Sequence, residues 1–204
     1  MDARLDASSR FRANVEFQIN RKHSDRAPED AQTYRSRMIS RAIQGQLLMS
    51  SPSFWLMKSE PDVYGIDHLK QESTTLWDGI RNYQARNFMR TMQPGDQAFF
   101  YHSNCKPPGI VGLMEIIETQ LVDPTQFDPG AKYYDPKSSP EKPRWDCAKL
   151  KYLGRFKEML SLERLRELFT EEQLPVIKRG NRLSILPVPQ ATANDLLERL
   201  GPLL

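Results

Sequence analysis

Aromatic residues are distributed very unevenly along this chain of 204 residues, and their positions restrict where a core can form. Sixteen of the nineteen aromatic side chains, including all three tryptophans, follow Met49. The first 48 residues instead hold nine basic and six acidic side chains, whereas the remainder holds twenty of each. A segment that is poor in aromatic residues and in apolar periodicity cannot bury a core. The sequence therefore predicts a disordered or loosely helical basic extension over residues 1–52 and a folded domain over residues 53–204.

Three interpretations of the extension remain open. It is an upstream lengthening of the reading frame with Met49 as the physiological start, a basic arm that contacts nucleic-acid phosphates, or an organelle transit peptide. Asp2, Asp6 and Glu16 argue against the transit peptide, because such peptides are poor in acidic residues.

The composition, with 39% hydrophobic and 27% charged residues, is typical of a globular domain and excludes both global disorder and a membrane-spanning protein. Two cysteines, Cys105 and Cys147, are too few for a disulfide scaffold or a cysteine-based zinc site. We expect no metal, no organic cofactor, no membrane partner and a monomeric chain. The expected location is the cytoplasm in a bacterium and the nucleus in a eukaryote.

Hydrophobic patterning predicts short strands interleaved with short helices. The predicted strands cover residues 54–57, 97–103, 109–121, 145–152 and 182–188. The predicted helices cover residues 66–71, 83–92 and 191–200, with one more that Ser161 caps. Residues 123–144, with five prolines, are expected to form a loop. This order favours an α+β fold around a small, mostly antiparallel barrel.

Several polar and aromatic side chains lie where the predicted elements end. Trp55 alternates with Leu56, so that one of the two faces a pocket or both belong to the core. Lys58, Ser59 and Glu60 follow the first strand, where turn chemistry and surface pairing are the alternative explanation. Trp77 is expected in a loop and therefore in a pocket, with little cost to stability if it is truncated.

The helix over residues 83–92 buries one stripe of side chains at spacing i, i+3, i+4 and i+7. The stripe contains Ala85, Phe88, Met89 and Met92. Tyr83 and Arg86 point the other way, and Asn82 stands at the start of the helix. Asn82 can also serve only as an N-cap, and Arg86 can be a solvated helix charge.

Alternation over residues 99–103 divides its aromatic residues between two faces of the strand. Tyr101 and Ser103 share one face, whereas Phe100 and His102 share the other. His102 is either a ligand-binding group or a satisfied structural histidine. Trp145 and Asp135 bracket the prolyl loop, which either closes over a pocket or stays disordered beside a core tryptophan.

Common catalytic and nucleotide-binding motifs are missing from the sequence. Residues 109–112 read Gly-Ile-Val-Gly, which is not the dinucleotide fingerprint GxGxxG and precedes no helix. His102 and Cys105 are three positions apart, but no third residue to orient the histidine is evident.

Two segments of the sequence stand out, Trp55-Leu-Met-Lys-Ser-Glu-Pro61 and Trp77-Asp-Gly-Ile-Arg-Asn-Tyr-Gln-Ala-Arg86. Together with residues 100–103, 109–112 and 143–145, they resemble the EVE domain of the PUA-like superfamily. The resemblance covers about residues 53–200. It implies a five- or six-stranded PUA-like pseudo-barrel flanked by helices, with a pocket that binds a nucleic-acid base. The superfamily includes readers of methylated adenine and methylated cytosine, so the base is expected to be modified.

We therefore predict a non-catalytic reader that holds a modified base of DNA or RNA in an aromatic pocket. Stacking on an aromatic ring contributes about 1–3 kcal/mol per base. The predicted base-binding residues are Trp55, Lys58, Ser59, Glu60, Trp77, Asn82, Tyr83, Arg86, Tyr101, His102, Ser103 and Trp145. The predicted phosphate contacts are Arg86, Lys106 and Arg144.

Two rival hypotheses remain at the level of sequence. The first is an enzyme that acts on a nucleotide or nucleobase, with Glu60, Asp78 and His102 as acid–base groups. The second is an interaction module whose aromatic cleft binds a peptide.

Overall fold

The computed structural model describes residues 52–204, which form one six-stranded sheet, four α-helices and two short 3₁₀ turns. The strands are β1 (Phe54–Ser59), β2 (Thr74–Trp77), β3 (Gln97–His102), β4 (Gly109–Val122), β5 (Asp146–Ser161) and β6 (Ile185–Val188). The helices are α1 (Ile66–Glu72), α2 (Tyr83–Thr91), α3 (Leu162–Leu168) and α4 (Gln190–Leu200). The prediction for residues 1–52 lies outside the described residues, apart from Pro52.

The sheet has the strand order β2-β5-β4-β3-β1-β6. Only β1 and β3 run parallel, and the other four pairs of neighbours are antiparallel. Register shifts in the β4–β5 pair and in the β3–β4 pair bend the sheet. Strands β2 and β6 are its edges, so the sheet does not close into a complete barrel. The predicted α+β fold of mostly antiparallel strands with flanking short helices is confirmed.

Each face of the sheet carries its own core, because successive side chains of a strand point to opposite faces. Leu56 and Phe99 belong to one core, which α3 and α4 cover. Trp55 and Phe100 belong to the other, which α1 and α2 cover. The alternation predicted for residues 99–102 is therefore confirmed.

Helix α2 illustrates how local sequence specifies an element. The side chain of Asn82 accepts hydrogen bonds from the backbone N–H groups of Gln84 and Ala85, which caps the first turn. Ala85, Met89 and Met92 are completely buried, as the apolar stripe predicts. Tyr83 and Arg86 lie near the start of this helix, on its side that faces the surface.

The prediction for Trp77 is wrong at the level of secondary structure. It is the last residue of β2 rather than a loop residue, and only 7% of it is exposed. Strand β2 is four residues long and pairs with residues 148–151, so a local window contains too few alternating positions to reveal it. Since Trp77 belongs to a core, the premise that its truncation costs little stability also fails.

The largest differences from the predicted strand bounds occur in β5 and β6. Strand β5 continues to Ser161, beyond the predicted end at Tyr152, because the bent β4 remains its partner along that distance. Strand β6 begins only at Ile185, because Asn181 holds the preceding residues in a turn by accepting a hydrogen bond from the backbone of Leu183. Within residues 52–204, every helix is too short or too polar to cross a membrane.

Candidate functional site

A cleft of about 540 Å³ opens beside β2, near the end of β1. One wall consists of residues 75–81, which run from β2 toward α2. The opposite wall consists of the end of β1 and the turn before β6. The remaining lining residues come from the β1–α1 loop, the end of β3 and the loop over residues 123–145: Val63, Tyr64, Ser103, Lys132 and Tyr133. The volume lies within the usual range of small-molecule sites, roughly 300–1,000 Å³.

The wall at the end of β1 is held by hydrogen bonds to its neighbours. The backbone N–H of Lys58 donates to the carbonyl of Ser184, and that of Ser103 donates to the carbonyl of Ser59, both at 2.8 Å. The Lys58 ammonium donates to the carbonyl of Asn181 at 3.2 Å. Burial lowers the pKa of Lys58, because a low-dielectric environment disfavours the charged form.

The three tryptophans of the chain differ in what their indole N–H groups do. That of Trp55 donates to Asp96 at 3.0 Å, and that of Trp145 donates to Asp135 at 2.7 Å. The indole N–H of Trp77 has no acceptor among residues 52–204, although a buried tryptophan usually finds one. Trp77 is also the one tryptophan among the three that lines the cleft, with its ring edge-on to Phe100 at 5.4 Å.

The buried carboxylate of Asp123 holds together the part of the cleft that lies between Trp77 and Tyr133. It accepts from the backbone N–H of Gly79 at 3.0 Å and from the guanidinium of Arg81 at 2.7 Å. Arg81 also donates to the carbonyl of Tyr133 at 2.7 Å. The turn before α2 and the loop over residues 123–145 are therefore joined by a charged, partly buried network.

Asp78 follows Trp77 in the chain and lines the cleft. Desolvation raises the pKa of its carboxyl group, and the nearby Asp123 adds to the effect. A carboxylate in such a position accepts hydrogen bonds from a ligand amino group.

A second aromatic group lies beside the cleft, on the far side of Arg81. The rings of Tyr83 and Trp145 stack with centroids 4.9 Å apart. The guanidinium of Arg86 lies 4.8 Å from the centre of the Tyr83 ring, and Arg81 lies 5.4 Å from that of Trp145. Trp145 is 4% exposed, whereas Tyr83 is 48% exposed, so the accessible ring of this pair is that of Tyr83.

The structure brings five of the predicted base-binding residues together in the cleft lining. These are Lys58, Ser59, Glu60, Trp77 and Ser103. Asn82, Tyr83, Arg86 and Trp145 instead form the start of α2 and the adjoining aromatic pair. The predicted residues thus fall into two neighbouring groups rather than one pocket.

Three further predicted residues lie outside the cleft lining. Trp55 and Tyr101 are 6% and 3% exposed and belong to opposite cores, so burial leaves neither ring a free face. His102 supports α1, since its Nε2 atom accepts from the backbone N–H of Ile66 at 3.2 Å. Burial lowers the pKa of His102, and the nearby Arg155 lowers it further.

The three predicted phosphate-binding side chains have different surroundings. Arg144 is paired with Asp135 at 3.1 Å, and it also donates to the hydroxyl of Tyr83. Arg86 donates to the carbonyl of Arg144 and has no carboxylate partner among the described residues. Lys106 is exposed in the β3–β4 loop and does not line the cleft.

Sequence reasoning did not assign several cleft residues to the site. The missed residues include Tyr64, Leu76, Arg81, Lys132, Tyr133 and Arg182. Arg81 lies within the motif that carried the family resemblance, so its position was a usable signal. Tyr133 and Arg182 lie in loops far away in the chain, and no local pattern connects them with β2.

Charge in the cleft is mixed with a positive excess. The lining includes four basic side chains, Lys58, Arg81, Lys132 and Arg182, against two acidic ones, Glu60 and Asp78, which leaves a balance of plus two. Among residues 52–204 no group of three or more His, Cys, Asp or Glu side chains is arranged to hold a metal ion. The site can therefore offer aromatic stacking, hydrogen bonds and attraction for an anionic ligand.

Residues 53–199 match the family model of the EVE domain. Human thymocyte nuclear protein 1 is 40% identical over 161 residues, which cover 70% of this chain and 72% of the human protein. The zebrafish (Danio rerio) protein of the same name is 46% identical over 135 residues, which cover 61% of this chain and 58% of that protein.

Solved structures show the same similarity. A protein from Pseudomonas syringae has a TM-score of 0.70 and 44% identity. The match covers 73% of this chain and 100% of the bacterial one. The human THYN1 protein, crystallised in complex with DNA that contains 5-methylcytosine, has a TM-score of 0.69 and 38% identity. That match covers 74% of this chain and 98% of the human one.

Proposed function

The chain belongs to the EVE domain family, and from that premise we propose that it binds a modified base of a nucleic acid without altering it chemically. The base is of the 5-methylcytosine type. The proposal is supported by the similarity to the human protein that was crystallised with 5-methylcytosine DNA.

One observation carries the proposal: the cleft beside β2 contains a buried tryptophan, a half-buried tyrosine and an excess of positive charge. Tyr133 supplies flat apolar surface, and stacking on such a ring contributes about 1–3 kcal/mol per base, whereas Trp77 forms part of the buried wall of the cleft. A base must leave the helical stack to enter a cleft of this depth, which costs a few kcal/mol. Lys132 and Arg182 attract the phosphates that flank the extruded base.

The aromatic pair beside the cleft serves the strand rather than the base. Arg86 presents a guanidinium without a carboxylate partner among the described residues, at the exposed face of Tyr83. A cation in this place is suited to a phosphate. We assign Arg86 and Lys106 to phosphate contacts, which add affinity without selecting the base, whereas the charge of Arg144 is compensated by Asp135.

Binding without catalysis is favoured by the surroundings of His102. The enzyme hypothesis needs Glu60, Asp78 and His102 as acid–base groups around one substrate. Glu60 and Asp78 line the cleft, but His102 does not, and its Nε2 lone pair accepts from the backbone of Ile66. A histidine engaged in this way does not exchange protons with a ligand in the cleft.

The experiment is a binding titration with fluorescent single-stranded and duplex oligonucleotides that carry one cytosine or one 5-methylcytosine in the same sequence. We expect tighter binding to the methylated strand, with the preference independent of salt and the overall affinity falling as salt rises. After incubation, the oligonucleotide is analysed by mass spectrometry, and its mass is expected to be unchanged. Equal affinity for both strands contradicts the reader, and a changed mass contradicts binding without catalysis.

A further inference from the structure

We propose that two N–H groups on consecutive residues, the backbone N–H of Leu76 and the indole N–H of Trp77, bind two adjacent acceptor atoms on the edge of the base. The inference rests on the proposed function, because it concerns how the same cleft selects its base. It predicts that cytosine derivatives are accepted and thymine is rejected.

The direction of the Leu76 N–H follows from the register of β2 on β5. The backbone N–H of Tyr152 donates to the carbonyl of Ser73 at 2.9 Å, so these two residues form a hydrogen-bonded pair. Such pairs alternate along an antiparallel ladder. The residues of β2 that face β5 are therefore Thr75 and Trp77, and the N–H and C=O groups of Leu76 point to the open side of the strand.

The open side of β2 is the side of the cleft. Residues 75–79 line it without interruption, and no strand pairs with β2 there among the described residues. The carbonyl of Leu76 receives one long contact, from the Thr75 hydroxyl at 3.5 Å, whereas its N–H has no acceptor among residues 52–204.

The second donor is the indole N–H of Trp77. Trp55 and Trp145 are buried to a similar extent, and both donate to a carboxylate. Trp77 has no such partner among residues 52–204, yet its side chain is more than nine-tenths buried and lines the cleft. An N–H group of the cleft lining that donates to no acceptor among residues 52–204 is available to an acceptor atom of a ligand.

The two donors match one pyrimidine better than the other. Cytosine and its 5-methyl derivative present two adjacent acceptors, O2 and N3, followed by a 4-amino donor. Thymine carries the same methyl group but has a hydrogen on N3, which would oppose a protein N–H. Asp78 lies next in the chain and lines the cleft, where its carboxylate is placed to accept from the 4-amino group.

The test compares single-stranded oligonucleotides that differ only in 5-methylcytosine or thymine at one position. The methyl group is the same in both, so the affinity ratio reports the hydrogen-bonding edge alone. We expect the unaltered protein to favour 5-methylcytosine by about tenfold, in the range of one well-placed polar contact. Leu76→Pro removes the outward N–H without breaking a bond to β5, and Thr75, as the residue before it, is already extended.

Leu76→Ala is the matched control, because it shortens the side chain and retains the N–H. We expect Leu76→Pro and Trp77→Phe to lower the ratio toward one, and Leu76→Ala to keep it whatever its overall affinity. A ratio that survives both Leu76→Pro and Trp77→Phe overturns the donor pair. If the unaltered protein binds neither oligonucleotide, the proposed function itself fails.

A change in the ligand keeps the test decisive if Leu76→Pro does not fold. An oligonucleotide with 3-deaza-5-methylcytosine replaces the N3 acceptor by a C–H group and keeps the methyl and amino groups. We expect the unaltered protein to bind it about tenfold more weakly than 5-methylcytosine. Equal affinity for the two bases would overturn the inference.

Discussion

The ring of Tyr133 lies so close to Gly79 that a Cβ atom added to Gly79 would stand 2.6 Å from Cε2 of the ring. Gly79 also has a positive φ of 71°, which side chains rarely adopt. The absence of a side chain at Gly79 thus lets the loop over residues 123–145 place its tyrosine in the cleft wall.

Gly79→Ala is therefore expected to reduce both stability and binding. The positive φ costs about 1–2 kcal/mol, and displacement of Tyr133 adds about 1–3 kcal/mol. Gly180→Ala is the matched control, because Gly180 has a φ of 76° but no atom within 4 Å of an added Cβ. Denaturant unfolding measures the free energy of unfolding of each variant. Equal losses of unfolding free energy in the two variants would show that Tyr133 moves aside without an energetic cost.

Trp77→Ala and Trp55→Ala form a second matched pair. The residues are 7% and 6% exposed and belong to the same core, so each variant is expected to lose about 3–5 kcal/mol of stability. Only Trp77 lines the cleft. Where both variants are still folded, only Trp77→Ala should lose binding free energy, by about 1–3 kcal/mol for a polar contact to the base edge. A Trp55→Ala protein that binds as weakly as Trp77→Ala would contradict this division between core and cleft.

The comparison of these tryptophans shows which parts of the fold the sequence predicts. Helix α2 was predicted because its cap at Asn82 and its stripe at Ala85 and Met89 are local features within ten residues. The strand that ends at Trp77 was missed because its stability comes from pairing with β5 and not from its own four residues. Motif resemblance placed Trp77 at the site, whereas periodicity placed it in the wrong element.

The cleft itself was only partly predictable, because its walls are joined by contacts between distant segments. Asp123 holds Gly79 and Arg81, and Arg81 holds the carbonyl of Tyr133. No pattern in the sequence pairs these positions. Lys58 and Ser103 were predicted for the site because they lie near the ends of β1 and β3, although β1 runs two residues further than predicted and β3 ends one residue earlier.

His102 is expected to make stability depend on pH. Its pKa lies below the ordinary value of 6.5, because burial and Arg155 disfavour the charged form, while Asp67 opposes them weakly. The unfolded chain therefore binds a proton at a higher pH than the folded one. Stability is fully present above about pH 6.5 and falls as the pH drops toward the folded pKa.

Thermal unfolding between pH 5 and pH 8 measures this effect in the unaltered protein and in His102→Gln. The glutamine amide oxygen can still accept from the backbone of Ile66 but does not titrate in this range. We expect the variant to show a weaker loss of melting temperature on acidification. Parallel pH profiles would mean that other groups cause the acid sensitivity.

Removal of residues 1–48 is expected to leave the folded domain intact. The segment is poor in aromatic residues and in apolar periodicity, so a chain that begins at Met49 should melt within about 5 °C of the full chain. If the segment contacts phosphates through its nine basic residues, its removal should also flatten the salt dependence of binding. A larger drop in melting temperature would show that the segment stabilises the domain.

Arg86 and Arg90 lie on the same face of α2 but differ in their partners. Arg90 is paired with Asp146, whereas Arg86 has no carboxylate partner among the described residues and lies against Tyr83. If Arg86 contacts a phosphate, Arg86→Ala should weaken binding to methylated and unmethylated strands by the same factor. It should also reduce the slope of log affinity against log salt by about one. Arg90→Ala should change neither quantity by a comparable amount, because its charge is already compensated. Binding titrations of both variants at several salt concentrations measure these two quantities. If Arg86→Ala weakened binding to the methylated strand alone, Arg86 would be a base-reading residue instead.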